Sequence, residues 1–145
     1  MMSGIRLLLS AVALIASFCI AMAQEEEAEV DCGNSTAQLD LNDCGYRTYE
    51  AEDALLNAQY RKAMAKARQL DIDNKDTAPY LGSSMSAADA LKSAQRAWIG
   101  YRDGHCVLAG YEARGRQAEP LLVSGCLAEL TRKRTAELKE FLEGE

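Results

Sequence analysis

Histidine and tryptophan each occur once in this 145-residue chain, as His105 and Trp98, and proline only twice, as Pro79 and Pro120. A single histidine excludes a His-pair metal motif, and its neighbour Cys106 is expected to be oxidised, which denies a Cys–His nucleophile its thiolate. A Ser-centred elbow and a Gly-rich phosphate loop are also missing. Cys32, Cys44, Cys106 and Cys126 are spaced by 12, 62 and 20 and include no C-x-x-C pair, which speaks against a four-thiolate zinc site. Neither an internal repeat nor a useful stretch of polar–apolar alternation is found, so a sheet is not expected. Glu50, Glu52 and Asp53 read as helix-surface charges with one internal partner among them, not as a catalytic acid pair. These absences leave no cofactor, no metal and no enzyme to argue for.

A membrane-length apolar run is lacking too. Leu7 to Ile20 is too short to span comfortably. It follows a short basic start, Met1 to Arg6, and precedes Ala21-Met22-Ala23, the pattern of a secretory signal peptide over residues 1–23. Cleavage after Ala23 removes Arg6 and leaves 15 basic against 22 acidic residues, a charge of −7. Such a chain repels nucleic acid and anionic membrane surfaces and attracts basic proteins. Cleavage also removes Cys19, and four cysteines in an exported chain imply two disulfides, each contributing about 2–4 kcal/mol. Residues 24–30 carry four glutamates and read as an acidic disordered tail. Residues 31–145 are long enough for one domain.

What is present is helical periodicity. Tyr49, Leu56, Tyr60, Ala63, Ala67 and Leu70 form a heptad-like stripe, with Arg61, Lys62, Lys66 and Arg68 on the opposite face, and no Gly or Pro interrupts residues 46–70. Ser35 with Gln38 fits a capping box at the start of this helix. Asp71 to Ser86 is rich in turn formers and reads as a loop carrying Tyr80 and Leu81, a pair expected to tuck back onto the domain. Ser86 with Asp89 marks the next helix start, and that helix runs to about Tyr111. It holds Leu91, Ala94, Trp98 and Tyr101 on one side with Arg102 and Cys106 beside them, and reads as the central rod of the bundle. Gly100, Gly104 and Gly110 weaken it by roughly 1 kcal/mol each. Pro120 suits the first position of a last helix with Leu122, Cys126, Leu127, Leu130, Leu138, Phe141 and Leu142.

Three helices in this order predict an all-α, up-and-down three-helix bundle with two disulfides. Antiparallel packing brings the end of the second helix back to the start of the first. This favours the pairs Cys44–Cys106 and Cys32–Cys126 over the sequential pairs Cys32–Cys44 and Cys106–Cys126, though four cysteines permit three connectivities. Trp98, Tyr101 and Arg102 are expected inside, with Asp53 the first candidate and Glu52 the second for the carboxylate a buried guanidinium needs.

The motif residues Asp31-Cys32, Cys44, Leu56-Asn57-x-x-Tyr60, Gln95-x-x-Trp98-x-x-Tyr101-Arg102-Asp103-x-x-Cys106, Cys126, Leu130-Thr131-x-x-Arg134 and Leu138 resemble the LprI-like lysozyme inhibitor domain. The resemblance covers about residues 31–142. One departure is Gly115-Arg116-Gln117, where relatives usually carry a Gly-Gly pair before the last helix. The resemblance implies a periplasmic or secreted bacterial domain, some of whose relatives inhibit lysozyme. The expected function is a protein-binding module that blocks lysozyme or another basic peptidoglycan hydrolase by contact, with Asp73, Asp76, Tyr80 and Leu81 as the binding loop. Immunity against a rival's cell-wall-degrading toxin is a close relative of this reading. An envelope interaction or small-ligand module, with a pocket lined by Trp98, Tyr101 and Tyr60, is the competing one.

Overall fold

The computed structural model describes residues 30–80, 82 and 84–144. The signal peptide over residues 1–23, nearly all of the acidic tail and Leu81 lie outside them. Three long helices run in order: α1 (Gln38–Asp73), α2 (Ala87–Gly110) and α3 (Glu119–Glu143), with a single 3-10 turn, Tyr111–Ala113, after α2. The fold is an all-α three-helix bundle with two disulfides, and no strand occurs among the described residues.

The apolar stripe of α1 explains its orientation. Leu56, Ala63 and Ala67 are buried, and Tyr49, Tyr60 and Leu70 are half-buried. Leu56, Ala63 and Leu138 form the core cluster, with Tyr60, Leu91, Trp98 and Phe141 packed against it. Apart from Leu56 and Leu138, the buried apolar residues are Cys106 and four alanines, Ala63, Ala67, Ala113 and Ala128. Small side chains let helices approach closely but bury little area each.

Four expectations are corrected. First, α2 is not the central rod: the most extensive interface is that between α1 and α3, and α2 packs more on α3 than on α1. The reason is that α2 spends much of its apolar surface outward, leaving Ile99, Tyr101, Val107 and Leu108 exposed. Second, the disulfides are Cys32–Cys44 and Cys106–Cys126, with Cα–Cα distances of 5.6 and 5.4 Å. The end of α2 does return to the start of α1, but α3 begins at that same end after a short link, and Cys106 meets Cys126 there. Cys32 instead fastens the lead-in to the second turn of α1. Separations of 12 and 20 residues correspond to about 3 kcal/mol each in the chain-entropy account.

Third, the Ser35 capping box is not formed. The N-cap is Ala37 without a side-chain cap, and Ser35 Oγ donates to Asp40 Oδ2 (2.6 Å) while accepting the Ala37 N–H. Fourth, Lys66 is not on the face opposite the stripe but is half-buried toward α3. Its Nζ donates to the Phe141 and Leu142 carbonyl oxygens at 2.7 and 3.0 Å, covering the free C-terminal carbonyls of α3.

Two close approaches need glycine. A Cβ on Gly45 would stand 2.6 Å from Ser124 Oγ, and one on Gly110 would stand 2.6 Å from Val123 Cγ2. The turn before α3 solves the missing Gly-Gly pair with one glycine. Gly115 has a φ of +73°, its N–H donates to Glu119 Oε2, and Arg114 pairs with Glu119 Oε1 at 2.6 Å. The Gly115 N–H, ahead of Arg114, holds the Glu119 carboxyl below its usual pKa.

The packing generates three predictions. Trypsin under non-reducing conditions should leave Cys32 and Cys44 in one internally bridged peptide ending at Arg47, and should leave the Cys106 and Cys126 peptides joined to each other. A mass spectrum joining the Cys32/Cys44 peptide to the Cys106 or Cys126 peptide would contradict this pairing. Val123 is β-branched and cannot easily turn its methyl away, so Gly110→Ala should lower stability by about 1–3 kcal/mol in urea unfolding. A Cβ on Gly100 meets open space, and Gly100→Ala should raise stability by up to about 1 kcal/mol.

Candidate functional site

Two features stand out: a buried charge at the junction of the three helices, and a loop that projects from one end. Arg102 on α2 is 7% exposed. Its Nη1 donates to Asp53 Oδ1 of α1 (3.2 Å) and to Thr131 Oγ1 of α3 (3.4 Å), and its Nε donates to Asp103 Oδ1 (2.9 Å). The guanidinium lies 5.1 Å from the Trp98 ring centroid and 5.4 Å from that of Tyr49. Burial opposes its charge, but the hydrogen bonds to Asp103 and Asp53 and the neighbouring Tyr49 and Asp103 outweigh that and hold its pKa above the usual arginine value. Burial likewise pushes the Tyr49 hydroxyl up, with Arg102 pulling the other way.

Asp53 is itself held in place. Its Oδ2 accepts from Asn57 Nδ2 at 2.8 Å, one turn along α1. Asn57, Tyr49, Asp103 and Thr131 were not anticipated as parts of this junction. The i,i+4 spacing of Asp53 and Asn57 was the available signal. Glu52, the second candidate for Arg102, pairs with Arg132 of α3 at 3.0 Å. Gln95 accepts from Arg134 Nε at 3.0 Å, tying α2 to α3. Trp98 packs half-buried on the core, but Tyr101 points outward, 57% exposed, stacked on His105 at 5.4 Å. The pocket expected between Trp98, Tyr101 and Tyr60 is thus not assembled. Tyr60 lines a groove with Arg61, Met64, Arg68 and Lys92 instead.

The loop is fastened at its base. Asp71, in the last turn of α1, accepts the Ala87 N–H at 2.6 Å and the Ala88 N–H at 3.1 Å, and Ser86 Oγ accepts the Asp89 N–H at 3.0 Å. Both contacts satisfy free N–H groups at the start of α2 and favour its positive end. Because α1 continues to Asp73, the loop is shorter than expected and spans 74–86. Asp73 is therefore helical and accepts from Gln69 at 2.7 Å. Asp76 is exposed beside Lys75. The Gly82 N–H donates to Pro79 O across a turn, with Gly82 at φ +71°. Tyr80 sits in that turn at 101% of full exposure, so it does not tuck back onto the domain.

Among the described residues, no group of three or more His, Cys, Asp or Glu is placed to hold a metal ion, and no helix is long and apolar enough to cross a membrane.

Residues 31–138 match the family described as Lysozyme inhibitor LprI. The chain belongs to this lysozyme inhibitor family. A relative from Rhizobium meliloti (strain 1021), Uncharacterized protein R02472, is 56% identical over 126 residues, which covers 86% of this chain and 88% of the relative. No solved structure matches. The LprI family is one of inhibitors, not enzymes. Six of its motif residues here join helices: Arg102 with Thr131, Gln95 with Arg134, and Cys106 with Cys126.

Removing the carboxylate leaves a buried guanidinium short of its inter-helix partner. Asp53→Ala should cost about 1–3 kcal/mol in urea unfolding. Asp53→Ala combined with Arg102→Met should cost less than the sum of the two single changes, since no charge is then left unmatched. Additive losses would show that the two side chains do not act as a pair.

Proposed function

We propose that this protein is an exported inhibitor of lysozyme or a related basic peptidoglycan hydrolase, acting by contact, with the 74–86 loop as the inserting element. The observation that carries the reading is Tyr80, a large aromatic side chain held at full exposure at the tip of a loop whose base is clamped by Asp71. An aromatic on a preorganised loop forfeits little freedom on binding and fits a cleft as an anchor. The family supplies the class of target. The net charge of −6 supplies attraction to a basic enzyme, stronger once the first 23 residues are removed. Asp73 and Asp76 add negative charge on the loop flank, and Leu81 is the second proposed anchor. Export places the domain in the periplasm or outside the cell, where lysozyme acts.

The test is a lytic assay with oxidised mature protein and purified lysozyme. Tyr80→Ala should weaken inhibition by about tenfold or more, as truncating an interface anchor does, with an unchanged helical circular-dichroism spectrum. Asp76→Ala should weaken it less and flatten its salt dependence. Full inhibition by Tyr80→Ala would discard the loop, and a loss with Leu108→Glu in its place would move the contact to the outer face of α2.

A further inference from the structure

The strongest unassigned feature is positively charged, in a protein that is otherwise acidic. Arg61, Met64 and Arg68 follow one another at steps of three and four along α1, and so share a face. Together with Tyr60 and with Lys92 of α2 they line a groove of about 450 Å³ between the two helices. No carboxylate lines this groove. Arg47, Lys75, Arg102, Arg114, Arg132, Lys133, Arg134 and Lys139 all meet an acid, and Lys66 and Arg116 donate to backbone carbonyls. Arg61, Arg68 and Lys92 form no ion pair and no side-chain hydrogen bond with any described residue, a condition they share with Lys62 and Arg96, which do not line the groove.

We propose that this groove binds a phosphate-bearing ligand, with Arg61 and Arg68 as the recognising residues and Lys92 as the third cation. Three like charges lining one groove repel one another, and an anion placed between them relieves that repulsion. Two guanidinium forks suit bidentate recognition of a phosphate, and a dianion gains more than a monocarboxylate from three cations. The half-buried Tyr60 and Met64 give the groove an apolar side, which suits a ligand with a ring or aliphatic portion attached to the phosphate. The same phosphate chemistry is offered by a soluble phosphate ester and by a lipid headgroup. The site is independent of the lysozyme contact: it lies on the helical shaft, it is of opposite charge, and it shares no residue with the 74–86 loop.

The experiment uses the folded, oxidised protein at constant ionic strength. Sodium pyrophosphate is titrated by calorimetry, and vesicles of phosphatidylcholine with and without phosphatidic acid are sedimented with the protein. Pyrophosphate should bind. Arg61→Gln and Arg68→Gln should each weaken binding about tenfold, the effect of removing one charge-assisted contact. Arg47→Gln removes the same charge near the other end of α1 and should change binding by no more than about twofold at physiological salt. All three side chains are exposed, so circular dichroism should report intact folds. Groove-dependent sedimentation with phosphatidic acid would assign the phosphate to a headgroup, and pyrophosphate binding without it would assign the phosphate to a soluble ester. Absence of both, or an Arg47→Gln effect equal to that of Arg61→Gln, would overturn the site.

Discussion

A permanent charge in the interior constrains everything around it. The Arg102 guanidinium cannot be neutralised at any accessible pH and is too costly to bury alone. It therefore has to find its acceptors at one point in space, and those acceptors come from different helices: Asp53 from α1, Thr131 from α3 and Asp103 from its own helix. Meeting them together fixes the rotation of all three helices and their relative heights. Trp98 and Tyr49 then close over the planar group and complete its surroundings without adding polar atoms that need partners. In a bundle whose buried apolar residues are largely alanines, packing alone would select one register only weakly.

The longest helix completes the other two. Lys66 reaches the carbonyls at the end of α3, and Asp71 reaches the N–H groups at the start of α2. The disulfides act locally at the opposite end, one binding the lead-in to α1 and the other binding α2 to α3. Stability is thus distributed between covalent staples at one end and side-chain caps at the other. The loop between α1 and α2 crosses the capped end. Its anchoring through Asp71 and Ser86 leaves Tyr80 outside while holding the chain on either side of it. This geometry suits a protein that works by presenting a surface.

The helices were legible because their signals are local. The stripe from Tyr49 to Leu70, the Ser86 cap and Pro120 are each read from a few neighbouring residues. What was hidden depended on which helices lie nearest each other. The up-and-down order places the end of α2, the start of α1 and the start of α3 together, and it does not say which of two nearby sulfurs Cys106 meets. Lys66 was placed opposite the stripe, yet it stands three residues after Ala63 and four before Leu70, on the side that meets α3. Tyr80 was expected to tuck in as loop aromatics commonly do. The clamp that holds it out is a contact between Asp71 and backbone sixteen residues later, which no local pattern reveals. The family motif was legible as a scaffold, since its residues bridge helices, while the groove of Arg61, Arg68 and Lys92 needed the two helices side by side.

The central claim is that a rigid frame presents one loop to a hydrolase. Amide hydrogen exchange of the oxidised protein, alone and saturated with lysozyme, tests it most directly. The account predicts slowed exchange concentrated in residues 74–86, with the interior amides of all three helices slow and unchanged in both states. Protection elsewhere with the loop unaffected, or exchange through the helices that changes on binding, would contradict it.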